Sequence, residues 1–278
     1  MIIINKAIIA IAALALYALA TSCEKTHLLI HAAEDDNTVE VARLIAEGVN
    51  VNAKDWGGET ALTAAAWTNA VDVAKMLIAA GADVDKRSYG CRDTALMTAA
   101  YKDAADVAKV LIEAGADVNA KNRYGTTALI QTTWNNAADV AKLLIETGAD
   151  VNAKDGRTAL MYTAWNNATD VMRLLIESGV DVKHDDGATA LMWAAAGNAP
   201  DAAKLLIESG VDVNAENDDG ETPLMRAAWH NAADAAKLLI EAGADVNATD
   251  NDGKTALMLA KENDAADVIA LLKTAGAK

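Results

Sequence analysis

"QTTWNNAADVAKLLIETGADVN", residues 131–152, decides how this chain folds. Its second half is an amphipathic helix. Asp139, Lys142 and Glu146 recur three and four residues apart, on what should be its solvent face. Gly148 then stops it. The first half is less obvious, because Trp134 sits where a chain is about to leave a helix, beside the turn-forming Asn135 and Asn136. The same happens at Trp67, Trp165 and Trp229, and nearly so at Tyr101.

The reason lies in an internal period. "T(A/P)L" begins at Thr60, Thr94, Thr127, Thr158, Thr189, Thr222 and Thr255, with a degenerate copy from His27. Counting 21 residues on from each start lands on Gly48, Gly81, Gly115, Gly148, Gly179, Gly210, Gly243 and Gly276. A period of 31 to 34 residues held over eight copies is a repeat architecture. Within a copy, Thr is a good helix N-cap, and Thr222-Pro223 puts proline at the first helical position, where its missing N–H costs nothing. Nine residues after each Thr stands Asn69, Asp103, Asn136, Asn167, Asn198, Asn231 or Asp264, residue types that tolerate the left-handed conformation best after Gly. A second helix runs to the glycine, and "ADVNAKD" extends toward a tight turn before the next Thr.

Helix, turn, helix and hairpin, carrying "TALM-AA" and "LLIE-GADVNA", resembles the ankyrin repeat family. The resemblance implies an all-α solenoid of about eight helix-turn-helix repeats joined by short β-hairpin-like loops. It also implies a non-enzymatic protein-binding scaffold. The family's "GH" between helices is "NA" here, and its His in "TPLH" is Met97, Met161, Met192, Met225 or Met258. Losing both histidine positions is expected to remove bridging hydrogen bonds and leave apolar stacking. The hairpins after Val151 and Val182 are each two residues shorter than the others and the one after Val84 one longer, so local bends are expected there. Glu34-Asp35 and Lys261-Glu262 supply polar caps to the terminal repeats.

In ankyrin proteins the position seven residues after the Thr, and the next, face the target on the concave side. By that resemblance, Trp67, Tyr101, Trp134, Trp165 and Trp229 would contact a partner, with Lys102, Asn135 and His230 one residue on. The position four residues after the Thr varies, through Tyr162, Trp193 and Arg226 among others, and adds to the same surface. Trp56, Tyr89 and Tyr124 fall on hairpin tips and could extend it. Packing is the competing reading: each Trp roofs the small Ala residues of the neighbouring repeat in a chain that has no Phe. Exposed aromatic stripes mark interfaces, and Trp and Tyr are favoured hot-spot residues, but the uniformity of the row speaks for packing.

The N-terminus reads separately. Lys6, an apolar run from Ala7 to Ala20, and small residues before Cys23 have the layout of a secretory signal peptide. That run is too short to span a bilayer as a helix. Ala20-Thr21-Ser22-Cys23 resembles a bacterial lipobox. The resemblance implies cleavage before Cys23 and lipidation of its sulfur, with Glu24 in place of the Asp that retains lipoproteins at the inner membrane. An ordinary cleaved signal with an incidental Cys is the alternative. The expected organisation is therefore a signal peptide over 1–22, a lipidated N-terminus and short tether over 23–25, and eight ankyrin repeats over 26–278. The outer membrane, on its periplasmic face, is the expected location.

Net charge of −16 argues against nucleic acid and favours solubility or a basic partner. Cys23 and Cys91 are the only cysteines, so lipidation of one leaves no internal disulfide. Chemistry-bearing motifs are poor. The methionine row is expected to be inter-repeat core rather than a soft-metal site. His27 and His31 are four residues apart without a third ligand, and "ENDDGE" and "TDNDGK" read as turns rather than calcium loops. No cofactor, metal or catalytic group is expected. The partner would be one protein, the repeat domain a monomer. A narrower version makes it the protective partner of one envelope enzyme, as some exported bacterial ankyrin proteins associated with oxidative-stress defence suggest. An enzyme ranks last.

Overall fold

A computed structural model describes residues 23–181 and 189–278. The expected signal peptide and the hairpin after Val182 lie outside the described residues. Residues 23–34 are helical (α1), and Thr38–Ala46 is α2. There follow α3 (Ala61–Thr68), α4 (Val71–Ala79), α5 (Ala95–Lys102) and α6 (Ala105–Glu113). Further along are α7 (Ala128–Gln131), α8 (Ala138–Glu146), α9 (Ala159–Asn166), α10 (Thr169–Glu177), α11 (Ala190–Ala196) and α12 (Pro200–Glu208). The last are α13 (Pro223–Trp229), α14 (Ala233–Glu241), α15 (Ala256–Glu262) and α16 (Ala266–Thr274). These are the helix pairs of the eight repeats. The protein is an all-α repeat solenoid.

The period's special residues do what their chemistry requires. All seven period-opening threonines cap a first helix, each side-chain oxygen accepting the N–H three residues on. The Asn or Asp nine residues after each start is left-handed, with φ between 50° and 58°, and Asp36 of the degenerate first copy joins them. Each of the eight stop glycines has positive φ, between 78° and 94°. No L side chain adopts that conformation cheaply.

Contacts divide the chain into two compact units, one ending at Tyr124 and one beginning at Gly125. In the first unit α3 packs on α5, α4 on α6 and α2 on α4, and each repeat's own helices pair. In the second, the first helices form one row (α7, α9, α11, α13, α15) and the second helices another (α8, α10, α12, α14, α16), each touching its neighbours. The core is thin and made of few residue types. Leu62, Leu96, Leu129, Leu160, Leu191, Leu224 and Leu257 are buried on first helices, and Leu44, Leu77, Leu111, Leu144, Leu175, Leu206, Leu239 and Leu272 on second helices. Buried alanines fill the space between, which lets helices approach without Phe. Met97, Met161, Met192 and Met225 are inter-repeat core, as the spacing implies. Met258, in the last repeat of the chain, is 46% exposed.

Two expectations need correction. Apolar stacking is not what remains once the histidines are gone, because the "NA" asparagine replaces their bonds. In the first unit Asn69 Oδ1 accepts the Val107 N–H at 3.1 Å. In the second, Asn136, Asn167 and Asn198 accept from Val171, Ala202 and Ala235 in the same way. Asn136 and Asn167 also donate to the Asp at the start of the next second helix, at 2.8 and 3.1 Å. The left-handed turn aims the amide at the next repeat's helix N-terminus, where N–H groups lack intrahelical acceptors.

The connecting loops are hairpin-like, as expected, without regular strands among the described residues. Among the described residues only isolated bridges occur, Lys154 with Thr158 and Thr249 with Thr255. The Asp of "ADVN" takes the N–H two residues on in an Asx turn, as in Asp212 with Asn214 and Asp245 with Asn247. The Asn then bridges to the next repeat: Asn52 accepts from Asp83, and Asn214 from Asp245.

Finally, Trp134 is not in a helix. α7 stops at Gln131, and in the turn that follows Thr132 and Thr133 return their hydroxyls to the carbonyls of Leu129 and Ile130, at 2.7 and 2.8 Å.

Candidate functional site

The aromatic positions lie on the first helices and the turns that leave them. In the first unit, Trp67 and Tyr101 stack with centroids 6.2 Å apart. The Lys102 ammonium stands 3.6 Å from the Trp67 centroid, a cation–π contact that occupies one face of the indole.

The second unit carries a longer arrangement. Trp134 lies 5.5 Å from Tyr162, and Trp165 lies 6.0 Å from both Trp193 and His230. The Arg157 guanidinium covers Trp193 at 4.0 Å and reaches Tyr162 at 5.8 Å. Tyr162 donates its hydroxyl to Asp155 at 3.1 Å; burial, then the Asp155 charge, raises its pKa. Arg226 pairs with Glu221 at 3.2 Å. Burial first, then Arg226, pushes the His230 imidazole below its ordinary value, which favours the neutral ring. Among the described residues the buried Trp193 Nε1 has no acceptor. An indole N–H out of water normally finds one.

Both readings of the row therefore leave a trace. Trp67 touches Tyr101 in the first unit, and Trp134 and Trp165 touch other rings in the second, as packing requires, yet Trp67, Trp134 and Trp229 keep 47%, 51% and 47% of their surface, and Trp165 keeps 37%. Tyr101, Lys102 and Asn135 are also exposed, while Tyr162, Trp193 and Arg226 are half-buried.

Gly197 was a blind spot of sequence reasoning. Eight residues after its Thr, it reads as one more variable contact position. A Cβ there would lie 2.5 Å from the Trp165 carbonyl oxygen and 3.1 Å from its Cα. Gly197 is what lets α11 close against the Trp165 backbone. Gly197→Ala should destabilise the protein by about 1–3 kcal/mol, the usual penalty of overpacking, measured by urea unfolding. The sequence clue was that Gly197 follows Ala196, the one interior repeat position where the row lacks an aromatic.

Other candidates hold less. Cys91 is an exposed free thiol, and so is Cys23, where the helical residues of α1 begin. His27 and His31 meet through their Nε2 atoms at 3.0 Å. Among the described residues no group of three or more His, Cys, Asp or Glu side chains converges as a metal site, and no helix is long and apolar enough to cross a membrane.

Comparison with known proteins agrees with this architecture. A family model described as "Ankyrin repeats (3 copies)" matches residues 7–88, 84–155 and 152–217, and "Ankyrin repeats (many copies)" matches 206–260. Curated proteins offer no match. Among solved structures, the crystal structure of the human ASB11 ankyrin repeat domain is similar, with 26% identity and a TM-score of 0.67. That match covers 77% of this chain and 98% of the other. Ankyrin repeats are protein–protein interaction domains and typically non-enzymatic scaffolds. With the repeat register, the capped helix pairs and these matches in agreement, the chain belongs to the ankyrin repeat family.

Proposed function

We propose that this protein is a non-enzymatic binding scaffold of the bacterial cell envelope that holds one partner protein against its aromatic row. The observation that carries this reading is the exposure of Trp67, Trp134, Trp165 and Trp229 on a fold that supplies surfaces rather than clefts. Lys102, Asn135 and His230 stand beside the rings, and Tyr162, Trp193 and Arg226 form their half-buried flank. The overall charge of −16 would steer a basic partner toward the chain at long range. A repeat domain of this kind works as a monomer.

The envelope location rests on the first 23 residues. We propose that Cys23 is the lipid-modified N-terminus left by signal-peptide cleavage, and that its acyl chains hold the domain at the periplasmic face of the outer membrane. Each buried CH₂ contributes about 0.8 kcal/mol, so a diacylglycerol is enough for lasting attachment. Cells fed radioactive palmitate should label the wild-type protein and leave Cys23→Ser unlabelled. Mature protein that begins elsewhere and stays in the aqueous fraction overturns the anchor. The binding reading is tested separately, by cross-linking in envelope extracts and mass spectrometry of what the wild type, but not a Trp134→Ala, Trp165→Ala double variant, retains.

A further inference from the structure

The hairpin tips of the first unit carry a second surface, of different chemistry from the aromatic row. Trp56 is 92% exposed, more than any other large apolar side chain among the described residues. Tyr89 and Tyr124 follow on the next two tips, at 58% and 61%. Single exposed apolar residues are unremarkable. Here three consecutive loops each raise one aromatic ring into water.

The tips are held against one another. A Cβ on Gly58 would lie 2.3 Å from Tyr89, so the first tip packs directly under the second. Lys54 Nζ lies 4.5 Å from the Tyr89 centroid. The third tip bonds to the second: the Arg123 N–H donates to Cys91 O at 2.9 Å, its guanidinium donates to Gly90 O at 3.2 Å, and Arg87 donates to Lys121 O.

Between the second and third tips, Arg87, Arg92, Lys121 and Arg123, with Asn122, line a pocket of about 240 Å³. None of the four cations forms an ion pair with a carboxylate among the described residues. A guanidinium has five donors, so the carbonyls they bond leave most of that capacity unused. In a chain of net charge −16, four unneutralised cations around one pocket form a local field opposite in sign to the whole. The corresponding loop over 216–221 carries Glu216, Asp218, Asp219 and Glu221 and no cation.

We propose that these tips are a membrane-docking surface, on which Arg87, Arg92, Lys121 and Arg123 bind the phosphates of anionic phospholipid while Trp56, Tyr89 and Tyr124 enter the headgroup layer. Charge complementarity selects the occupant: an unpaired basic pocket takes phosphate, and indole and phenol rings with one apolar and one polar end belong at a membrane–water interface. A free phosphate would use the pocket and leave the three rings unexplained. An acidic protein would need no row of interfacial aromatics. The acidic remainder of the chain is screened from the bilayer beyond roughly 8–10 Å at ordinary ionic strength, which turns this surface, and not others, toward lipid. The surface does not depend on the aromatic row as a partner site. It does not require the Cys23 anchor either, although a lipid anchor beside a basic patch is the usual two-signal route to stable attachment.

The test is co-sedimentation of the full chain, carrying Cys23→Ser throughout so that no acyl chain contributes, with vesicles. These are of phosphatidylcholine alone or with about one-third phosphatidylglycerol, a strongly anionic surface. Any contribution of residues 1–22 is common to all samples. Binding should require phosphatidylglycerol, weaken with salt, and fall about 30-fold in the Arg87→Gln, Arg123→Gln variant, since each basic side chain near an anionic surface is worth roughly fivefold. Trp56→Ala should weaken it as well. That ring supports nothing in the fold, so this variant reads the surface even if the arginine variant misfolds. Equal binding to neutral vesicles, or phosphatidylglycerol binding untouched by both variants, overturns the proposal. So does glycerol phosphate that fills the pocket while phosphatidylglycerol vesicles do not bind, because the site would then be one for a small anion only. Intact partner capture by the aromatic row alongside any of those results leaves the scaffold reading standing.

Discussion

Leu160→Ala should lower the unfolding free energy by about 2–5 kcal/mol, the range for emptying a buried leucine site that cannot collapse. Leu160 is fully buried on α9. α9 packs against α7 on one side and α11 on the other, as well as against its own partner α10. A cavity there is felt in three repeats. Alanine already fills much of the remaining interior and has no side chain to swing into the gap, so relaxation should be small and the loss should fall in the upper half of that range. In a linear array each repeat is stabilised by its neighbours, so the unfolding transition should also broaden as repeats uncouple. Urea unfolding followed by circular dichroism reads both. A loss under about 1 kcal/mol would mean that the first-helix leucines are not the core.

Trp134→Ala and Trp165→Ala should each weaken the partner complex about 30-fold or more. An interface Trp that anchors a partner buries about 150–250 Å², and its truncation typically costs about 2 kcal/mol or more, with 1.4 kcal/mol a factor of ten. The two rings lead into Tyr162 and Trp193 respectively, so neither stands alone. Truncating both should be less than additive if the partner bridges them, because contacting side chains couple. Titration of the captured partner against the wild type and both variants gives the numbers.

Much of the fold is legible in the sequence because its decisive residues carry backbone information. A Thr cap, a left-handed Asn and a glycine stop each dictate a local conformation without reference to anything distant. Their register locates every helix end but one. The exception is α7, where Thr132 and Thr133 both turn hydroxyls back onto the chain; Thr163 does the same inside α9 without ending it, so the residue type alone does not mark the stop. The asparagine ladder was harder for another reason. Asn69, Asn136, Asn167 and Asn198 are sufficiently explained by the left-handed turn, so their second role stays hidden until the next repeat brings an N–H and an Asp to the amide. The recurring clue is the Asp at the second position of every second helix after α2, a residue type expected on the solvent face. Gly197 and the basic pocket share that difficulty: each depends on residues about 30 apart meeting across a repeat boundary, where distances of tenths of an ångström decide.

On the proposed function, the tryptophans serve a partner rather than the fold. Urea unfolding of the unbound Trp134→Ala, Trp165→Ala and Leu160→Ala variants, run side by side with wild type, tests it most directly. Partner binding at these rings predicts a loss of about 1–2 kcal/mol for each tryptophan, what the covered half of a ring contributes, against a clearly larger loss for the leucine. A loss of about 3–5 kcal/mol at each tryptophan, the cost of deleting a buried one, would contradict it, and the row would be inter-repeat packing.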